Sequence, residues 1–270
     1  MASRDTQPSQ TEKATRFRAL HEGEPFVMPN PWDAGSARAL EALGFEALAT
    51  TSAGFALTLG RQDGNVTLEE LAEHVAEIDR ATRLPVSVDL ENGFGPAPED
   101  AANAVLRAAE AGAVGGSIED YDPSGEIYAF DHAVERVAAA CEAARRLAFP
   151  FTLTARADNF FRGNPDLDDT IARLRAFERT GADVLYAPRL SEPDQIRAVC
   201  DAVEKPVNVL ARPNFSMDEL AGLGARRVSV GGNLAWVANE AMFGAAKRIR
   251  ESGDFSGLKV SPQAGEWLGN

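Results

Sequence analysis

Cysteine is scarce in this chain: Cys141 and Cys200 alone represent it. Both stand in stretches of helical pattern, Ala-Ala-Ala-Cys-Glu-Ala-Ala and Ile-Arg-Ala-Val-Cys-Asp-Ala. A disulfide-stapled scaffold is thereby excluded, both residues are expected to face a core, and a reducing, cytoplasmic setting is expected. Neither thiol stands where a strand would end, which disfavours thiolate catalysis. The only lysines are Lys13, Lys205, Lys247 and Lys259, and none follows a strand-like run. A Schiff-base mechanism needs such a lysine at a strand end, so that class is disfavoured. Histidine is as sparse: His21, His74 and His132 fall in helical stretches or near their ends, are expected at the surface, and offer no zinc hydrolase site. No basic run exists, and 27 Lys+Arg against 41 Asp+Glu give a charge of −14, which argues against nucleic acid or an anionic membrane as partner. No stretch has the length to span a bilayer, and the polar segment Met1–Gln10 lacks an apolar core, so neither membrane insertion nor targeting is expected.

With 44% hydrophobic residues in 270, the chain can fill one large core or two ordinary ones. Rhythm decides between them. Residues 1–12 read as frayed, and a helix is predicted over Glu12–His21, ending at Gly23. Strand-like runs then follow at Phe26–Met28, Ala47–Thr50, Val86–Asp89, Ala113–Glu119, Phe151–Arg156, Val184–Ala187, Val207–Leu210 and Arg227–Val230, each trailed by helical periodicity. The joints Leu43-Gly44-Phe45, Ala111-Gly112-Ala113, Thr180-Gly181-Ala182 and Leu223-Gly224-Ala225 repeat one device, a glycine able to take the left-handed conformation after a helix. Eight such units in about 230 residues fit an α/β protein of the (β/α)₈ TIM-barrel class. A doubly wound open sheet would want Gly-x-Gly-x-x-Gly after its first strand, where Pro29-Asn-Pro-Trp-Asp33 stands instead. The expected organisation is an N-terminal helical extension at 1–24, the barrel at 25–253 and a C-terminal tail at 254–270.

In such barrels, chemistry gathers at the C-terminal strand ends. The third strand delivers Asp89 and Glu91 and breaks at once on glycines; the second is followed by Thr51-Ser52-Ala53-Gly54 and Asp63; the fourth ends in Glu119-Asp120, the fifth in Arg156-Ala-Asp158-Asn159, the sixth in Tyr186-Ala-Pro-Arg189. Asn208 lies on the seventh and Gly231-Gly232-Asn233 closes the eighth. A single Asp-x-Glu is as well explained as a helix cap. Asp63, Asp89, Glu91 and Glu119 converging on one mouth would repel one another, and a hard divalent cation such as Mg²⁺ relieves that repulsion with oxygen ligands. Gly231-Gly232 is either a phosphate cradle or a plain turn.

Taken together, Thr51-Ser52-Ala53-Gly54, Leu59-Gly60-x-x-Asp63, Asp89-Leu-Glu91-x-Gly-Phe-Gly95, Ile118-Glu119-Asp120 and Ala155-Arg156-Ala-Asp158 resemble the isocitrate lyase and phosphoenolpyruvate mutase superfamily, over the span Phe26 to Ile249. The resemblance implies a barrel whose last helix swaps onto a partner subunit, a homodimer or homotetramer, and Mg²⁺ holding a 2-oxo acid or dicarboxylate as its enolate. On that basis Asp89 is the direct metal ligand, with Asp63, Glu91 and Glu119 holding the metal's waters. Substrate contacts fall to Thr51, Ser52, Ala53, Gly54, Asp89, Arg156 and Asn208, with the Ser52 and Ala53 amides at the carboxylate. The candidate catalytic set is Asp63, Glu119, Arg156 and Tyr121.

Two departures bear on activity. Lyases of that superfamily carry Lys-x-Cys-Gly shortly after the strand-four glutamate and mutases keep a lysine there; this chain reads Glu119-Asp-Tyr-Asp-Pro-Ser-Gly-Glu-Ile-Tyr128, with neither. Asp89-x-Glu91 also replaces the commoner Asp-x-Asp. Decarboxylation of oxaloacetate, or a related cleavage of a small 2-oxo acid, asks least of the missing loop, because CO₂ departs without a general acid. The alternatives are lysis of a 2-hydroxy or 2-oxo dicarboxylate with Tyr121, Asp122, Glu126 or Tyr128 in the loop's role, phosphonate chemistry of the phosphonopyruvate type, and metabolite binding without turnover.

Overall fold

The computed structural model describes residues 7–259; of the expected frayed start and tail, residues 1–6 and 260–270 lie outside the described residues. Eight parallel strands run in the order β1-β8-β7-β6-β5-β4-β3-β2. They are β1 Phe26–Met28, β2 Leu48–Ala49, β3 Val86–Asp89, β4 Gly115–Glu119, β5 Thr152–Arg156, β6 Val184–Tyr186, β7 Val207–Leu210 and β8 Arg227–Ser229. β1 and β2 meet beyond their ends, where the Ala49 N–H donates to the Pro29 carbonyl at 3.1 Å, so the sheet curls into the barrel that the sequence rhythm requires. Asn30 secures the same seam: its Nδ2 donates to the Thr50 carbonyl, and its Oδ1 accepts from the Val230 and Gly231 N–H groups.

Around the barrel lie α2 Ala34–Ala42, α3 Ser52–Thr58, α4 Leu68–Ala81, α5 Pro98–Glu110, α6 Phe130–Arg145, α7 Leu167–Thr180, α8 Pro193–Ala202, α9 Met217–Gly222 and α10 Asn233–Ser252, with α1 Gln10–Leu20 preceding β1. Capping boxes start several of them: Ser9 with Glu12, Thr67 with Glu70, Ser216 with Glu219. The joint glycines Gly44, Gly112, Gly181 and Gly224 all hold positive φ, as their placement after helices demands. Apolar strand faces meet the helices in one continuous layer that includes Val88, Leu90, Val105, Ile118, Leu153, Leu174, Phe177 and Leu185. Each such fully buried side chain contributes about 1.5–3 kcal/mol. α1 closes the opposite end from the strand C-termini, driving Phe17 against Phe26, Met28 and Val114.

The histidines correct one expectation. His21 and His74 are buried, not superficial, and only His132 is partly exposed. His21 sits edge-on between the rings of Phe17 and Phe26, and His74 on α4 stacks flat against Phe55 of α3 with ring centroids 3.8 Å apart. Aromatic packing against neighbouring elements outweighs the polarity of a neutral imidazole. Cys141 is buried and Cys200 half-buried, and burial pushes their thiols up to about 11 and about 12.

Candidate active site

The mouth is built by strand ends that the sheet register sets side by side. β3 and β4 align Asp89 with Ser117, and β4 and β5 align Glu119 with Arg156, so carboxylates and guanidinium rise from adjacent strands to one level. Asp89 accepts from the Ser52 N–H at 3.3 Å, the Glu91 N–H at 3.4 Å and the Ser117 hydroxyl at 3.5 Å. These are long bonds that leave its oxygens acceptor capacity. After Asp89 the chain turns through the left-handed region at Glu91 (φ 47°), Gly93 and Phe94 (φ 62°). That turn is held from behind by the buried Arg136 of α6, whose guanidinium donates to the carbonyls of Asn92, Gly95 and Ala97. Two non-glycine residues in that region mark a backbone fixed by its surroundings.

Arg156 is the cation of the mouth. It forms an ion pair with Glu119, reaches Asp158 at 3.1 Å and stands 3.7 Å from Asp89. A second arginine, unanticipated from the sequence, joins it: Arg162 lies 3.8 Å from Glu119 and 4.0 Å from Asp158, with its guanidinium carbon 3.3 Å from the Tyr121 ring centroid. Asp158, quoted in the strand-five motif but given no role, is fully buried between these two arginines, and its N–H donates to Asp120. Asp120 thus joins the loops after β4 and β5, and it also accepts from Arg173 of α7 at 3.2 Å.

Negative charge exceeds positive here. Burial, and then Asp89 and Asp63, push the Glu91 carboxyl up to about 8. Asp63 lies on the exposed loop after α3, yet its carboxyl is raised, first by withdrawal from water on the mouth side and then by Asp89. Burial raises Glu119 well above its ordinary range although Arg156 opposes it. The Tyr121 phenol is pushed up by burial and by Glu119, which keeps its proton in place at neutral pH. Among the described residues no group of three or more His, Cys, Asp or Glu side chains is close enough to enclose a metal ion directly. Asp89, Glu91 and Glu119 therefore do not form a direct three-ligand cage, whereas an all-oxygen, over-negative set with one accessible carboxylate fits a hydrated Mg²⁺ that keeps most of its waters.

Thr51 caps α3, its hydroxyl accepting from the Gly54 N–H, while Ser52 and Ala53 line the cleft above Asp89. Gly54 faces away: a Cβ there would lie 2.6 Å from Thr51 Cγ2 and 3.0 Å from Trp32 Cβ, so it is a close-packing residue. Gly231 gives its N–H to Asn30, and a Cβ on Gly232 would crowd Trp236, which favours the turn over the phosphate cradle. Asn208 lies on the floor of the mouth with its amide engaged at both ends, Nδ2 donating to Ser229 and Oδ1 accepting from Arg227. Arg227 continues inward to Thr154 and to His21 at 3.2 Å. Burial lowers Arg227 to about 9 and His21 to about 3. A small chamber of about 60 Å³ lined by Asp89, Arg156, Tyr186 and Asn208 lies beneath an outer cleft of about 640 Å³. Over the cleft, the segment from Asp120 to Tyr128 is a short hairpin: Tyr121 bridges Ile127, and Asp122 accepts from the Ser124 and Glu126 N–H groups.

Comparison with known proteins gives a consistent picture. The phosphoenolpyruvate phosphomutase family profile matches residues 17–250. A protein of Burkholderia cenocepacia J2315, named no more closely than lyase/mutase, has a crystal structure that superimposes with a TM-score of 0.93 at 51% identity, over 97% of each chain. The oxaloacetate decarboxylase of Paraburkholderia xenovorans LB400 is 35% identical over 90% of this chain and 81% of its own length. The crystal structure of oxaloacetate acetylhydrolase with the product oxalate matches with a TM-score of 0.88 at 26% identity, covering 97% of this chain and 95% of that one.

Proposed function

The chain belongs to the phosphoenolpyruvate phosphomutase family, and from that premise we propose that it is a Mg²⁺-dependent carbon–carbon lyase acting on oxaloacetate or a relative of it through the enolate of a 2-oxo acid. The observation that carries this reading is Arg156 seated among Glu119, Asp158 and Asp89 at the base of the cleft. A 2-oxo carboxylate entering from above meets a guanidinium already fixed in position, and a charge-assisted bond to it orients the adjacent ketone toward Asp89. Asp89, with Asp63, Glu91 and Glu119 around it, would hold Mg²⁺, which when bound would supply Lewis-acid stabilisation to developing enolate charge. The Ser52 N–H is turned to Asp89, so the Ala53 N–H and the second Nδ2 hydrogen of Asn208 complete the grip on the substrate's oxygens, and Arg227 fixes which way that amide points.

Decarboxylation breaks the bond to the distal carboxylate, which leaves as neutral CO₂, and the electron pair stays on the carbon next to the ketone. That carbon then needs one proton. Tyr121 lines the cleft and carries the phenolic proton nearest to hand for this step, with solvent restoring it. Arg162 over its ring holds the phenol in place and stabilises the charge it acquires. The loop after β4 carries no lysine or cysteine, which disfavours both phosphoryl migration and isocitrate-type cleavage. The test is pyruvate release from a panel of 2-oxo acids with and without Mg²⁺, beside calorimetric titration of oxalate, a planar mimic of the pyruvate enolate. Metal-dependent turnover of oxaloacetate, with oxalate bound only when Mg²⁺ is present, is expected. Turnover of phosphonopyruvate alone would select the phosphorus–carbon alternative, metal-linked oxalate binding without any turnover would make the protein a binder, and equal oxalate affinity with and without metal would remove the reading altogether.

A further inference from the structure

The outer cleft is polarised. Its carboxylates, Asp63, Asp89 and Glu119, all belong to the inner end just described, whereas the sixth- and seventh-strand loops contribute Arg189 and Arg212. Among the described residues neither guanidinium has an ion-pair partner; Arg189 stacks over Phe161 with its guanidinium carbon 4.5 Å from the ring centroid, on the cleft wall. Arg189 also holds φ at 66°, a conformation that a branched or long side chain adopts only when its surroundings impose it, and such strain clusters at ligand sites. Room is the second consideration: the open cleft of about 640 Å³ continues past Arg156 to the loops that carry Arg189 and Arg212.

We infer that Arg189 and Arg212 bind a second anionic group of the substrate, carried on the chain beyond the 2-oxo acid head; this rests on the inner end being the 2-oxo acid site. The group bound there is one that the reaction retains. A carboxylate destined to leave as CO₂ loses its charge in the transition state, so clamping it between cations would favour the ground state and slow the step. The preferred substrate is therefore a relative of oxaloacetate with a longer chain, whose additional carboxylate or phosphonate survives the reaction. Arginine suits both anions through its planar fork of donors.

The experiment compares matched ligands in the Mg²⁺-loaded protein. 2-Oxoglutarate is paired with 5-methyl-2-oxohexanoate, in which an isopropyl group replaces the distal carboxylate at equal size, and 4-phosphono-2-oxobutyrate provides the phosphonate arm. The wild type is expected to bind the doubly anionic acids about tenfold or more tightly than the isostere, the worth of one charge-assisted hydrogen bond. The order between carboxylate and phosphonate identifies the retained group. Arg189→Gly, which also relieves the backbone, and Arg212→Gln are each expected to bring the ratio toward one. A wild-type ratio near one overturns the inference without any variant, as does a ratio that both substitutions leave intact. Oxalate separates the two readings: if oxalate binds with Mg²⁺ while the ratio is near one, only the distal site falls, and if oxalate does not bind, the inner site falls and this inference with it.

Discussion

Glu119 and Arg156 are register partners on adjacent strands, and their side chains meet in a buried ion pair at the barrel mouth. Removing the cation strands Glu119 and Asp158 in a site with little water. Arg156→Ala is therefore expected to lower stability by about 3–5 kcal/mol in urea unfolding, the penalty for breaking a buried pair on one side. Oxalate affinity should fall sharply in the same variant while Mg²⁺ binding persists. Arg156→Lys keeps the charge without the fork and is expected to recover stability more than affinity. An Arg156→Ala protein as stable as wild type would show that the carboxylates had simply taken up protons.

Asp89 differs in kind from its neighbours because its oxygens accept only long bonds. Asp89→Asn preserves size but removes the charged ligand, and its single acceptor oxygen can keep the contacts of only one of the two carboxylate oxygens. Metal-linked oxalate binding and turnover are both expected to disappear, with thermal unfolding little altered. Calorimetry on the metal-loaded variant decides it, and retained activity would place the metal elsewhere.

The barrel was legible from rhythm because alternating strand and helix periods are local properties. β1, β3 and β7 begin and end where the apolar runs do, while β2 is reduced to Leu48–Ala49 because the chain turns directly into α3. Site residues at strand ends were legible for the same reason: position on a strand fixes where Asp89, Glu119 and Arg156 emerge. Arg162 was not, because it lies in the loop beyond β5, and nothing in its spacing says that its side chain folds back over Tyr121. The link from Arg227 to His21 was hidden likewise, since it joins residues 206 positions apart.

Assembly follows from α10. Of its residues only Ala235 is buried, while Trp236, Val237, Met242 and Phe243 are between 51% and 66% exposed. A helix with that much apolar surface toward water is expected to pack on a second copy, as the resemblance to the superfamily implied. Light scattering is expected to give a dimer or tetramer, Met242→Glu with Phe243→Glu a smaller species, and a chain ended at Asn233 insoluble protein. A stable wild-type monomer at micromolar concentration would remove the expectation.

The hairpin over the cleft is closed on itself through Tyr121 with Ile127 and through Asp122, while Arg173 of α7 holds both its ends, donating to Asp120 and to the Tyr128 carbonyl. It should therefore move as a unit, and closing it would shield an enolate from water. Amide exchange across residues 120–128 is expected to slow on adding Mg²⁺ and oxalate together. Exchange that is unchanged by both would leave it an ordinary surface turn.

Acid sensitivity tests the barrel floor. Burial, and then the Arg227 charge, lower His21 from its usual 6.5 to about 3, and burial lowers His74 to about 4. The folded state thus favours the neutral ring, and the unfolded chain binds the extra proton across the interval between. Stability from this source is fully present above about pH 6.5 and drains as pH falls toward those lower values, by up to about 1.4 kcal/mol per pH unit for each proton. Glu91, raised to about 8, and Asp120, raised to about 7, act in the opposite sense, since their protonated forms favour the fold and their contribution is lost as pH rises through those values. Whole-protein stability therefore mixes two slopes, and a substitution is needed to separate them. His21→Gln retains an acceptor for Arg227 but cannot take up the proton. Urea unfolding at pH 7.5 and pH 5.5 should show wild type ahead at the higher pH and its lead shrinking at the lower. A lead that stays constant between the two would mean that His21 does not resist protonation, and that Arg227 lacks the neutral partner the floor of the site depends on.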